Sequence, residues 1–121
     1  MASEAQAQAG ELQGKLQDLN RQLMTVRTQM AVKDRERKVG EIQLRELAAA
    51  GAQTNTFKSV GKMFLQVPNA GVRSELELKG ASLSDDVEVL GKKLAFLERQ
   101  VKDSQEGLKE AVAAMLQASA L

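Results

Sequence analysis

The sequence predicts a mainly α fold: a long antiparallel two-helix coiled coil with the helices joined by a short β-hairpin. Three observations predict it. A leucine-rich heptad repeat occurs in each half of the chain, a short segment between the repeats alternates with period two, and aromatic residues are nearly absent. The 121 residues include three phenylalanines, one proline and no tryptophan or tyrosine. Two helices of this composition bury a seam but hardly a core, so we expect much of the apolar surface to contact other chains.

The first helix is predicted over residues 11–52, within a single domain that spans residues 1–121. Its apolar residues step alternately by four and three, which keeps them in one narrow stripe along one face of a helix. The heptad positions are Leu12, Leu16, Leu19, Leu23, Val26, Met30, Lys33, Arg37, Gly40, Leu44 and Leu47. The pattern ends where the alanine-rich residues 48–50 give way to polar residues 53–56.

The second helix is predicted over residues 69–119, after Pro68. Its heptad positions are Leu76, Gly80, Leu83, Val87, Leu90, Leu94, Leu97, Val101, Ser104, Leu108, Ala111 and Met115. Two starts are open: Asn69, whose side chain is able to cap a helix, or a fresh capping segment at residues 82–85.

The β-hairpin is predicted over residues 55–67, where the period changes from 3.5 to 2 and bulky, β-favouring residues form a short run. A two-residue turn at Gly61 and Lys62, with glycine first, would leave a strand of about five residues on each side. The alternative turn, at residues 69–71, would give one longer strand over 57–67 and a partner strand over 72–78. We favour the turn at Gly61 and Lys62.

Two registers of the antiparallel seam are compatible with the heptads and with a reversal of the chain near this turn. One pairs Leu44 with Leu83. The other pairs Gly40 with Gly80 and leaves a void between the helices. Because voids between packed elements are destabilising, we favour the first register.

A run of charged residues at 33–38 crosses the first heptad and places Lys33 and Arg37 on the seam. In one interpretation, their aliphatic stems cover the facing leucines while the charged groups reach water. In the other, the run is a soft spot at which the coil bends. Polar seam residues lower stability and help to fix the register in both cases.

Composition argues against catalysis, metal binding and nucleic-acid binding. The chain has no cysteine and no histidine, and the carboxylates at 34, 36, 85 and 86 lack the glycine-punctuated spacing of a calcium loop. We therefore predict no catalytic residue, no metal site, no cofactor and no enzymatic activity. Net charge is +1, from 17 basic and 16 acidic residues, whereas nucleic-acid binders show a basic excess. The apolar stretches are too short for a membrane span and the start does not read as a signal peptide, so a cytoplasmic location is expected.

The hairpin segment carries a resemblance to a known family. Residues 57–64 read Phe, two variable residues, and then Val-Gly-Lys-Met-Phe, between two long heptad helices. This motif resembles the hairpin signature of the β-type prefoldins, in particular the subunit 1 family, with Phe57 in place of the usual tyrosine. Lys92, Lys93 and residues 97–99 resemble the second helix of that family. The likeness covers about residues 11–118, although the sequence has more glycines than the family leads one to expect.

The resemblance implies a function without catalysis. Prefoldin is an ATP-independent co-chaperone, a heterohexamer of two α-type and four β-type subunits. Hairpins of all subunits form a platform, and the coiled coils grip unfolded clients, in eukaryotes chiefly actin and tubulin, and deliver them to the cytosolic chaperonin. The partners implied are thus other prefoldin subunits, client proteins and the chaperonin, with neither nucleic acid nor membrane.

Two groups of residues are candidates for these roles. The hairpin group, predicted to drive oligomerisation, contains Phe57, Val60, Gly61, Met63, Phe64 and Leu65. The chain-end group, predicted to bind clients, contains Leu12, Leu16, Leu108, Val112, Met115 and Leu116, with Leu121 beside it. The plainer alternatives are that the hairpin folds down onto its own helices and that the leucines near the ends are incidental.

Three rival functions follow from the same residues. A structural or adaptor coiled coil would explain the heptads but not the apolar period-two insert. A prefoldin-like subunit of another assembly would have the same sequence features. A nucleic-acid binder is disfavoured, since stacking aromatics do not interleave with the charges.

Overall fold

The computed structural model describes residues 2–120 and confirms the predicted fold class. Helix α1 spans Ala2–Ala50, strand β1 spans Thr56–Val60, strand β2 spans Met63–Val67, and helix α2 spans Asn69–Ala120. Helix α1 begins earlier than the predicted residue 11. Its first residues are rich in alanine and glutamine, which favour helix without needing a long apolar stripe.

The seam predicted from the heptads is present along both helices. Every heptad position of α1 and α2 is buried or half-buried, and the residues between them are mostly exposed. Ala5 and Ala9 extend the same half-buried stripe toward the start of α1. The period of the apolar residues therefore predicts which face of each helix packs.

The chain forms two compact units. The first comprises Met1–Gln29 and Leu90–Leu121, and the second comprises Met30–Val89 and contains the hairpin. The core of the first unit is a cluster of Leu19, Leu23, Val26 and Leu97, with Leu90, Leu94 and Val101 packed against it. In the second unit Leu83 is the buried apolar residue among those that the structure describes.

The hairpin turn lies at Gly61 and Lys62, which confirms the favoured prediction. The strands are antiparallel, and Val60 pairs with Met63 across the turn. Gly61 has φ +62°, whereas no described residue other than glycine has positive φ. This is the geometry of a type II′ turn, whose first central residue is glycine. The alternative turn at residues 69–71 is wrong, because these residues begin α2.

The segment between α1 and the hairpin is tied to the start of α2. Gly51, with φ +92°, ends α1, and its N–H donates to the Ala48 carbonyl at 3.3 Å. Helix α2 starts at Asn69, so the alternative start at residues 82–85 is wrong. The Asn69 side chain does not act as the expected cap: its amide nitrogen donates to the carbonyls of Gly51, at 3.5 Å, and Thr54, at 3.3 Å.

The seam contains the void that the favoured register was chosen to avoid. Gly40 and Gly80 line one cavity of about 220 Å³ in the second unit. They also line a neighbouring hollow together with Leu44 and Leu76, and not with Leu83. This arrangement corresponds to the second register, in which the two glycines meet, so the favoured register, which pairs Leu44 with Leu83, is wrong. The cavity opens to the surface, where water is able to enter it. The gap therefore lowers the stability of the chain less than an empty cavity of the same size inside a closed core would.

Candidate assembly surface and chain-end group

The hairpin presents apolar side chains on both of its faces. Because side chains alternate along a strand, Phe57 and Phe64 share one face, while Val60, Met63 and Leu65 share the other. The cross-strand partners fit this assignment, since Ser59 pairs with Phe64 and Val60 pairs with Met63. A solvated hairpin has one polar face, so this pattern is typical of a hairpin packed on both sides.

These apolar side chains are open to solvent in the isolated chain. Their exposed fractions run from 46% for Val60 to 73% for Phe64. The sheet has two strands, so each strand also has an outer edge whose backbone groups are unpaired within the described residues. A two-stranded hairpin is marginal in water, and exposed edges favour pairing with another chain.

One ion pair links the hairpin to its own helices, and two hydrogen bonds close the base of the hairpin. Lys58 Nζ lies 3.8 Å from a carboxylate oxygen of Glu75 on α2. At the hairpin base, the Thr56 hydroxyl donates to the Val67 carbonyl at 2.6 Å. Gln66 Nε2 donates to Asn55 Oδ1 at 3.2 Å. The chain therefore positions the hairpin without covering its apolar side chains.

Gly61 holds the hairpin group in place through its backbone. A Cβ built on Gly61 meets no atom within 4 Å, so space is not the constraint there. Its φ of +62° is the constraint, since L residues with side chains rarely adopt it. The conformation brings β1 and β2 into the register that sorts the phenylalanines onto one face.

The charged run of α1 makes a local ion-pair network. Arg37 lies 2.8 Å from Asp34 and 2.9 Å from Glu41, and Lys33 lies 3.5 Å from Asp86 on α2. Hydrogen bonds from Arg37 and then Lys38 hold the pKa of Asp34 below its ordinary value, and Asp34 in turn raises the pKa of Arg37. Lys33 and Arg37 are half-buried on the seam while their charged groups are paired.

The chain-end group divides into two sets. Leu12, Leu16, Leu108 and Met115 are half-buried on the seam, whereas Val112 and Leu116 are 42% and 66% exposed. A Cβ built on Gly107 would lie 3.5 Å from a Leu12 methyl group, so this part of the seam is packed. Val112 and Leu116 are the members free to bind another molecule. Leu121 lies outside the described residues.

Sequence reasoning missed one feature of the second unit. A hollow of about 590 Å³ lies at the hairpin base and is lined by residues of the hairpin, of α1 and of α2, among them Phe57, Val67, Pro68 and Val72. The cavity at Gly40 and Gly80 adjoins it. Seam glycines are the signal that could have found this region, because each removes a side chain from the packing.

Other kinds of site are not found in residues 2–120. No group of three or more acidic residues is placed to hold a metal ion. Neither helix contains a stretch that is long and apolar enough to cross a membrane.

Comparison with known proteins decides the family. Residues 10–114 match the family described as prefoldin subunit. The chain belongs to the prefoldin subunit family. It is 34% identical over 102 residues to the probable prefoldin subunit 1 of Schizosaccharomyces pombe, covering 84% of this chain and 91% of that protein. The chain is also 33% identical over 111 residues to prefoldin subunit 1 of Arabidopsis thaliana, covering 91% of this chain and 87% of that protein.

Solved structures agree with this assignment. The prefoldin beta subunit from Thermococcus strain KS-1 superposes with a TM-score of 0.54 at 26% identity, over 92% of this chain and 91% of that one. The resemblance to prefoldin subunit 1 inferred from the hairpin motif is thereby confirmed. A prefoldin subunit is part of a chaperone complex, and it assembles with other prefoldin subunits.

Proposed function

We propose that this chain is a β-type subunit of a heterohexameric, ATP-independent prefoldin that captures unfolded proteins, such as actin and tubulin, and delivers them to the cytosolic chaperonin. In this role it is not an enzyme, needs no cofactor, and works in the cytoplasm without contact to nucleic acid or membrane. Family membership and the described geometry support the proposal.

The hairpin carries the proposal. Its five exposed apolar side chains occupy both faces, and the two strands leave both edges open. Partner hairpins would cover the faces and continue the sheet, which removes the edges. A structural coiled coil has no use for such a segment between its helices.

The exposed members of the chain-end group support the client-binding half of the proposal. Val112 and Leu116 are aliphatic and lie beside the half-buried Met115. Aliphatic and thioether side chains adapt to many shapes, which suits binding of unfolded chains with little sequence preference.

The test is reconstitution with the other prefoldin subunits of the same organism. Native mass spectrometry should show this chain in a hexamer, and the hexamer should suppress aggregation of chemically unfolded actin without nucleotide. The variant Phe57→Ser/Phe64→Ser should remain helical but fail to enter the hexamer, because it removes the larger side chains of one hairpin face. A chain that is recovered only as a dimer of itself would instead indicate a structural coiled coil.

A further inference from the structure

The cavity around Gly40 and Gly80 has the character of a small binding groove. We call it the glycine groove; its apolar lining is formed by Val39, Gly40, Leu76, Gly80 and Leu83. Charged and polar side chains, from Arg35, Glu36, Gln43 and Lys79, also line it. Protein interfaces mix apolar and polar groups in this way, but so does ordinary protein surface, so it is the two glycines that distinguish this groove.

The glycine groove is a departure from the rest of the seam. Seam positions elsewhere carry mostly leucine, valine or methionine, and glycine inside a helix is less stable than alanine. A Cβ built on either Gly40 or Gly80 meets no atom within 4 Å. Alanine would therefore fit at both positions without a clash. The chain keeps an open space where a more stable seam is sterically allowed.

The space is large enough for a side chain of another molecule. Its volume is about 220 Å³, and an apolar cavity of roughly 150 Å³ accommodates benzene. One phenylalanine, leucine or methionine side chain would fit. Side chains of this type are exposed on the hairpin of this chain, as Phe57, Met63 and Phe64 show.

The glycine groove is continuous with the hairpin surface. Gln43, Leu76 and Lys79 line both the groove and the larger hollow at the hairpin base, which Phe57 and Val67 also line. A partner that covers the hairpin therefore meets the groove without a break. All of these residues belong to the second compact unit.

We propose that the glycine groove receives an apolar side chain from a neighbouring prefoldin subunit, so that the assembly surface extends from the hairpin onto the coiled coil. This inference rests on the proposed function, in which the hairpin drives assembly. Gly40 and Gly80 are then specificity-determining residues of the assembly, and the stability lost in the free chain is recovered when the partner side chain fills the space.

The first test measures protection of an introduced thiol. The chain has no cysteine, so Val39→Cys introduces a thiol at the edge of the groove. Its reaction with a maleimide, followed by mass spectrometry of this subunit, should be at least about tenfold slower in the hexamer than in the free chain, as for a group buried at an interface. Val32→Cys is the matched control, since Val32 is similarly exposed seven residues earlier on the same helix face but does not line the groove. An unchanged rate at Val39→Cys in an intact hexamer would overturn the proposal.

The second test narrows the groove by two methyl groups without harming the fold. The variant Gly40→Ala/Gly80→Ala should raise the melting temperature of the free chain and yet enter the hexamer about tenfold less readily in competition with the wild type, since tenfold is the effect of losing one well-packed contact. A matched control is Gly10→Ala/Gly14→Ala, which adds two methyl groups to exposed helix positions outside the groove. The control should raise the melting temperature and compete equally.

The outcomes separate the groove from the proposed function. Equal competition by Gly40→Ala/Gly80→Ala would show that the groove is a packing gap with no partner and would overturn the inference. If Phe57→Ser/Phe64→Ser still fails to assemble in that case, the proposed function stands. If the phenylalanine variant assembles normally, assembly through the hairpin is itself wrong.

Discussion

The residues with positive φ mark the points at which the chain leaves its helices and reverses. Gly51 ends α1 and Gly61 opens the hairpin turn. A side chain would fit in the space at both positions, but the positive φ is unfavourable for any residue that carries one. At these two positions glycine is required for its conformation, whereas at Gly40 and Gly80 it is notable for the space it leaves.

Gly61→Val should disrupt the hairpin and spare the helices. A β-branched residue at φ +62° costs on the order of 1–3 kcal/mol. We expect entry into the hexamer to fall while the helical circular dichroism of the free chain is unchanged. Gly61→Asn is the control, because asparagine tolerates positive φ better than valine does. Normal assembly of the valine variant would show that the turn geometry does not matter for the platform.

Asp34 should make the free chain sensitive to acid. Its folded pKa is lowered from the ordinary value of 3.8, first by the hydrogen bond from Arg37 and then by that from Lys38. A lowered folded pKa means that the carboxylate contributes stability above its unfolded pKa, and that this contribution is lost as the pH falls through the folded value.

Melting temperatures from about pH 5 to about pH 3 test this effect. The wild type should lose more stability over that range than Asp34→Asn, in which the side chain no longer titrates. Glu4→Gln is a suitable control, since Glu4 lies in the first turn of α1 and is not part of the network. Parallel pH profiles for wild type and Asp34→Asn would show that the network adds nothing to stability.

At the scale of elements, the local patterns of the sequence predicted most of the structure. The heptads identify the buried face of α1 and α2 because side chains spaced by 3.5 residues stay on one side of a helix. Gly61 followed by Lys62 identifies the turn because a two-residue hairpin needs positive φ at its first position. Each of these signals lies within a few residues of the feature it predicts.

The features that escaped prediction depend on two segments at once. The seam register is the clearest example, since it sets Gly40 against Gly80 and requires the free energy of a void to be weighed against all other pairings. The role of Asn69 is another, because its amide reaches carbonyls that precede the hairpin. The start of α1 was missed for a different reason: alanine-rich sequence favours helix without an apolar period.

Leu97 should be a main determinant of the stability of the first unit. It is 3% exposed within the cluster that contains Leu23 and Val26. Leu97→Ala should lower the free energy of unfolding by about 2–5 kcal/mol, through lost apolar burial and the cavity left behind. Phe96→Ala is the matched control, since Phe96 is the adjacent residue and is 57% exposed. Its effect should stay within about 0.5 kcal/mol. Urea denaturation followed by circular dichroism provides the comparison, and equal losses would mean that the cluster is not the core.

At the scale of the whole molecule, the chain has little interior of its own. The exposed hairpin, the glycine groove and the seam with few fully buried residues all indicate a subunit that completes its packing in a complex. A single sequence indicates contacts with other chains only indirectly, through features such as an apolar period-two segment or glycines at seam positions. For this reason the family could be inferred from residues 57–64, while the order of the neighbouring subunits and the bound clients could not.

Client binding should depend on the exposed members of the chain-end group. Val112→Ser/Leu116→Ser should weaken protection of an unfolded client while the hexamer stays intact, because these residues do not belong to the compact unit that contains the hairpin. Each aliphatic group covered by client contributes about 1–2 kcal/mol. In the proposed hexamer several subunits would share one client and mask a single loss, so roughly threefold more chaperone should be needed for half protection. Met115 is left unchanged because it is half-buried on the seam.

The measurement is aggregation of chemically unfolded actin at limiting hexamer concentration, with the hexamer checked by native mass spectrometry. Met24→Ser/Phe96→Ser is the matched control, since it removes two exposed apolar side chains, 68% and 57% exposed, from the same compact unit but outside the chain-end group. A general need for apolar surface would weaken both variants equally. A specific role for the chain-end group would weaken only Val112→Ser/Leu116→Ser. Undiminished protection by that variant in intact hexamers would show that clients are held by the other subunits.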